Sequence, residues 1–417
     1  MIETLNALAR SPALRAAAML TAGGFGFALA NILLARVLAS SEFGTLSLFL
    51  ALVQLALSLG PLGLDLAINR HRLDATSELR TWGLITSTAS GLLIAAGAWL
   101  LYDIAGALLA CLLVASVAAS FNRFGTAVLQ TQQRFGYSLF LGQVHNYVLL
   151  LAVPLLWLAD SEHALPIAVM LTISYLITCA VGWRAARKRR LHETAAPMSA
   201  FVRESLAGFG ILLATQVLWQ LERLVIPRTL TLEDLATFAV VAAIAGSPFR
   251  MMQIGIGHTL LPGLRACRSR ADLRRLMKHE GAIVFGVSVA AVVVVFVATP
   301  WIAEWFLMGR YDISFALLVA IVATGLLKVI NGFVSAIVQA FGTTRALATF
   351  NVTTWIGLIA GIPCAEYGAR YGVVGVVYGV GVSWLAMTLA AALLAVLALR
   401  AWSPVAASDA LGNPSTA

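Results

Sequence analysis

Apolar residues run through the chain in long stretches, and polar breaks interrupt them at short intervals. A stretch of about 20 apolar residues is long enough to cross hydrocarbon as an α-helix. Such stretches fall at residues 13–39, 43–68, 81–101, 104–131, 139–158, 166–183, 207–228, 236–262, 281–303, 315–341, 348–366 and 373–399. They predict an all-α membrane protein with about twelve transmembrane helices. The first stretch is longer than a signal-peptide core and leads through Arg36 into a second span, so it is expected to be retained.

Composition agrees with this class. The chain is 60% hydrophobic and 11% charged, with a mean hydropathy of +0.90, which excludes a soluble globular protein of 417 residues. A net charge of +9 is compatible with nucleic-acid binding. The basic residues, however, are spread through short loops and form no nucleic-acid module, so no nucleic-acid partner is expected. Their distribution sets orientation instead, because short cytoplasmic loops are enriched in Lys and Arg. Arg36, Arg228, Arg310 and Arg370 fall at one face and Arg223, Arg250 and Lys328 within spans, which leaves 21 of the 28 on the opposite loops and ends. Both termini are therefore expected in the cytoplasm. Cys111, Cys179, Cys267 and Cys364 are dispersed without metal-ligand spacing, so neither a disulfide, a metal nor a cofactor is expected.

The two halves repeat. ARVLASSEFGT (35–45) aligns with PRTLTLEDLAT (227–237) at an offset of 192, and NRFGTAVLQ (122–130) aligns with NGFVSAIVQ (331–339) at an offset of 209. The second pairing repeats Asn122, Phe124, Ala127 and Gln130 as Asn331, Phe333, Ala336 and Gln339. Six spans per half is an even number, so the halves insert in the same orientation. The expected organisation is an N-terminal lobe (1–190), a cytoplasmic linker (191–205), a C-terminal lobe (206–400) and a tail (401–417).

Four spans carry polar stripes at helical spacing. Span 2 has Gln54, Ser58, Pro61 and Asp65, and span 8 has Gly246, Arg250, Gln253 and Gly257. Span 7 has Gln216, Trp219, Gln220 and Arg223, with Asn31 of span 1 as the counterpart of Arg223. Span 10 has Lys328, Asn331, Ser335 and Gln339. One such stripe could simply bond neighbouring helices. Four at repeat-related positions suggest a central cavity, and a charge at bilayer depth costs about 2.5–3.5 kcal/mol unless it finds a partner or water. Arg223, Arg250 and Lys328 outweigh Asp65 and Glu222, so the cavity is expected to be net cationic and to favour an anion. Asp65 and Glu222 are candidates for ion coupling, or else pair with cations: Glu222 with Arg223, Asp65 with Arg250 or Arg70.

The stretch NILLARVLASSEFGTLSLFLALVQLALSLGPLGLDLAINR, the loop LQTQQRFGYS and the segment LLPGLRAC resemble the polysaccharide (O-antigen) flippases of the MOP exporter superfamily. The resemblance implies two six-helix lobes around a cationic cavity in the bacterial inner membrane. It also implies transport of a polyprenyl-diphosphate-linked oligosaccharide from the inner to the outer leaflet by alternating access, without catalysis. Arg223, Arg250 and Lys328 would meet the diphosphate, and Asn31, Gln54, Gln216, Gln220, Gln253, Asn331 and Gln339 the sugar hydroxyls, with Trp219 against a sugar ring. Implied partners are the lipid-linked glycan, membrane lipids, H⁺ or Na⁺ as a coupling ion, and polysaccharide assembly proteins. This chain has a single arginine in span 8 and Asn31 in span 1, where related lipid II flippases are richer in arginine. A cation or drug exporter of the same superfamily would share the fold but needs an acidic, aromatic cavity. A membrane glycosyltransferase or glycan polymerase needs catalytic groups on large outer loops, and the longest here, AEWFLMGRYDIS, is short.

Overall fold

A computed structural model of the protein describes residues 12–187 and 198–402. Part of the expected linker (191–197), the loop cations Lys188, Arg189 and Arg190, and most of the expected tail (403–417) lie outside the described residues.

The described chain is helical, in the order α1 (Pro12–Val37), α2 (Ser40–Leu59), α3 (Leu64–His71), α4 (Ser77–Tyr102), α5 (Gly106–Thr131), α6 (Phe135–Leu158), α7 (Leu165–Arg187), α8 (Met198–Thr229), α9 (Leu232–Val241), α10 (Ser247–Ala266), α11 (Arg270–Trp305), α12 (Phe315–Phe341), α13 (Thr344–Gly368) and α14 (Gly372–Ala401). A π-helical turn at Ala242–Gly246 joins α9 to α10. Among the described residues, ten helical segments are long and apolar enough to cross a membrane; one of them, Thr344–Ala401, contains both α13 and α14, and Ala22–Val37 is a shorter apolar helix. The large apolar side chains that face outward, such as Phe285 and Val297 on α11, each more than 70% exposed, would be untenable in water as a continuous belt. Trp157, Trp301 and Trp305 are exposed near the C-terminal ends of α6 and α11, where indoles sit at a membrane interface. The protein is a multi-pass membrane protein.

Span 2 departs from expectation. The predicted helix over 43–68 stops at Leu59, and a turn through Gly60–Gly63 restarts it as α3. Leu62 and Gly63 take left-handed backbone (φ 50° and 79°), which an α-helix cannot contain. Gln54, Ser58, Pro61 and Asp65 therefore do not form one helical face. The turn is closely packed: a Cβ at Gly63 would come 2.7 Å from the carbonyl oxygen of Ser205 on α8.

The chain divides into two compact units, one of Met1–Ala243 with Phe306–Tyr311, the other of Ile244–Trp305 with Asp312–Ala417. In the first, α5 packs on α7, α2 and α3, and α1 packs on α6. In the second, α12 packs on α14 and α10. Span 4 against spans 2 and 6 in one unit thus corresponds to span 10 against spans 8 and 12 in the other, as the aligned asparagine segments require.

The two aligned turns meet inside the first unit. Gly44 lies in the first turn of α2 against Leu232 at the start of α9, and a Cβ there would overlap the Leu232 carbonyl oxygen. The aligned acids serve different ends. Asp234 forms a capping box with Thr231, whereas Glu42 accepts a bond at 2.8 Å from the backbone N–H of Ala164, just before α7. The segment Phe306–Tyr311 is bound over the end of α1: Arg310 donates to the Arg36 carbonyl and Tyr311 to that of Ala35, both at 3.0 Å.

Candidate transport site

In the first unit, Arg223 and Gln220 on α8 stand one turn apart, and the Arg223 guanidinium donates to the Gln220 amide oxygen at 3.3 Å. Gln220 and Glu222 are each only 2% exposed, while Gln216, Trp219 and Arg223 are partly exposed. Gln54 is partly exposed on α2. Asn31 is buried, and its amide donates back to the Phe27 carbonyl at 2.8 Å, so its hydrogen-bonding capacity is partly used within its own helix.

Asp65 has a partner that sequence reasoning missed. Arg123 Nε donates to Asp65 Oδ2 at 3.1 Å, an ion pair with a cation other than the expected Arg70 or Arg250. The break in span 2 explains this, because α3 turns onto α5 as a separate element. Counting by loops assigns Arg123 to the cytoplasmic cations, yet it lies inside α5, eight residues before the helix ends at Thr131. A second polar contact runs alongside, from Asn69 Nδ2 to Gln130 Oε1 at 3.0 Å, and Gln130 in turn donates to Ser138. Beneath this polar seam Leu64, Ala67 and Ile68 pack with Phe124, Ala127 and Val128. The spacing of Asp65 to Asn69 and of Arg123 to Gln130, four and seven residues, was the available signal.

In the second unit the stripes on α10 and α12 meet. They line a cavity of about 200 Å³ with Gln253, Gly257 and Leu261 on one side and Gly332, Ser335 and Gln339 on the other. Gln253 Oε1 is buried there without a hydrogen-bond partner among the described residues. Gly332 permits the contact, since a Cβ in its place would come 2.8 Å from Gln253 Cγ. Arg250 is exposed, three residues before Gln253. Lys328, four residues before Gly332, holds its ammonium 5.4 Å from the ring centroid of Trp384 on α14, a fully buried residue absent from the predicted site. Asn331 is buried, with its amide nitrogen unbonded among the described residues, and does not line the cavity. No cluster of His, Cys, Asp or Glu among the described residues is arranged to hold a metal.

Solved transporters of the MOP superfamily have a similar fold. An inward-facing multidrug resistance MATE transporter of that superfamily superposes with a TM-score of 0.68 at 16% identity, over 93% of this chain and 96% of that one. Lipid II flippase MurJ in an inward closed conformation gives 0.71 at 11% identity, over 93% and 88%. A MOP superfamily transporter from Pyrococcus furiosus, described as having a binding pocket of reversed polarity, gives 0.53 at 15% identity, over 95% and 96%. These likenesses establish the fold. The family model "Polysaccharide biosynthesis protein" matches residues 33–312, and the chain belongs to that family. No curated protein matches it in sequence.

Proposed function

We propose that this protein is a flippase that carries a polyprenyl-diphosphate-linked oligosaccharide from the inner to the outer leaflet of a bacterial inner membrane. The family match over residues 33–312 is the observation that carries this reading, and it favours a glycan cargo over a drug or metabolic cation. The chemistry of the polar residues supports it. A diphosphate needs cations in a low-dielectric setting, and Arg223, Arg250 and Lys328 supply them at span depth. Sugar hydroxyls need amides and hydroxyls, which Asn31, Gln54, Gln216, Gln220, Gln253, Asn331 and Gln339 offer, and Trp219 provides a ring face.

In this reading, residues 1–190 and 206–400 act as the two lobes, with the linker 191–205 and both termini in the cytoplasm. Alternating access exposes the polar faces to one leaflet and then the other. No bond is made or broken in the cargo. Glu222 and Asp65 are the acids through which H⁺ or Na⁺ would bias the cycle, and only a different affinity for the two states could give that bias. Membrane lipids surround the protein, and polysaccharide assembly proteins would receive the flipped cargo.

The decisive experiment places purified protein in vesicles with a fluorescent prenyl-diphosphate glycan in the inner leaflet. Transfer to the outer leaflet without covalent change is expected. Formation of a new glycosidic product, or no transfer in any imposed pH or sodium gradient, would refute the reading.

A further inference from the structure

Residues that line the cavity in the second unit have repeat counterparts in the first that bond to one another. At the offset of 192, Gly257 and Leu261 correspond to Asp65 and Asn69; at the offset of 209, Gly332 and Gln339 correspond to Arg123 and Gln130. In the first unit these four positions carry the Asp65–Arg123 ion pair and the Asn69–Gln130 amide contact. In the second, both positions of the ion pair are glycine, both helices keep their course, and the volume opens as a cavity. The amides Gln253 and Gln339 remain at its wall, one of them with a buried oxygen lacking a partner among the described residues.

We propose that this cavity is the subsite for the first sugar of the cargo, an uncharged pyranose held by the Gln253 and Gln339 amides. The wall residues among those described are uncharged, so they suit hydroxyl groups and not a phosphate. The cations stand where the diphosphate would follow. Phe249 lies against Gly325 and Gln253 against Gly332, so α10 and α12 run parallel. Arg250 and Lys328 precede the cavity by three and four residues on these parallel helices, and both therefore lie beyond the same end of it. One helical turn is about 5.4 Å, close to the step from a sugar ring to the phosphate esterified to it. The glycan end of the cargo is thus recognised by one repeat, while the equivalent surface of the other is closed by its own ion pair.

The inference rests on the flippase reading, and its test separates the two. Binding of a prenyl diphosphate, and of the same prenyl diphosphate bearing one N-acetylhexosamine, is measured on the full-length protein in nanodiscs. Wild type is expected to bind the glycosylated probe about tenfold more tightly, the order expected of one or two net hydrogen bonds. Gly257→Phe fills the cavity, and its Cβ enters open space, so the helix should hold. The preference should then fall to near unity. Gln253→Ala with Gln339→Ala, which leaves the cavity open but removes the amides, should do the same. A wild type that binds neither probe overturns the flippase reading and the subsite with it. Equal binding of both probes by wild type, or a preference that survives in both variants, overturns the subsite alone.

Discussion

Gly44→Ala is the substitution whose sign the structure fixes against ordinary propensity. In a helix, alanine is favoured over glycine by about 0.5–1 kcal/mol, so an unobstructed exchange should stabilise. At Gly44 the added Cβ would lie 2.8 Å from the Leu232 carbonyl carbon and overlap its oxygen. The obstacle is backbone at the start of α9, so it cannot be relieved by turning a side chain. The helices must separate by several tenths of an ångström or more, in a region where Phe43, Leu46, Leu235 and Ala236 are fully buried. Overpacking of this kind costs about 1–3 kcal/mol, and a backbone obstacle puts it toward the upper end, so the net loss after the propensity gain is up to about 2.5 kcal/mol. Thermal unfolding of the detergent-purified variant, followed by size-exclusion, should show a lower Tm. Gly142→Ala on α6, where a Cβ meets nothing within 4 Å, is the control and should be neutral or slightly stabilising. A Gly44→Ala protein as stable as wild type would refute the packing argument.

Three further outcomes are expected. Arg250→Ala should abolish surface glycan while the protein still reaches the membrane at normal level; normal glycan would remove Arg250 from the site. Asp65→Asn and Arg123→Gln should each lower stability by less than about 1 kcal/mol, because the Arg123 side chain is 56% exposed and such pairs are screened. Loss of folded protein in either would mean that the pair holds α3 in place. If Glu222 only pairs with Arg223, Glu222→Gln should impair transport and the double variant Glu222→Gln/Arg223→Gln should restore much of it. Continued inactivity of the double variant, together with gradient-dependent wild-type transport, would support ion coupling instead.

Apart from the break in span 2, the spans, the class of protein and the repeat were legible in the sequence. These depend on local quantities: the length of an apolar run, the residues that interrupt it, and identities at a constant offset such as Asn122 with Asn331. Polar stripes were legible for the same reason, since helical period alone decides which residues share a face. What each face meets follows from packing between distant segments. The break at Gly60–Gly63 arises from left-handed backbone at Leu62 and Gly63, packed against Ser205 far along the chain, and the apolar residues Leu64, Leu66, Ala67 and Ile68 carry the span pattern on past it. That break gave Asp65 to Arg123, and no count of loop charges could anticipate the pairing. The ring of Trp384 beneath Lys328 likewise comes from a helix more than fifty residues away. The cavity on α10 and α12 depends on two glycines that lie on different helices. A helical wheel reports each glycine as an absence of side chain, and only the packing of those helices makes the two absences adjacent.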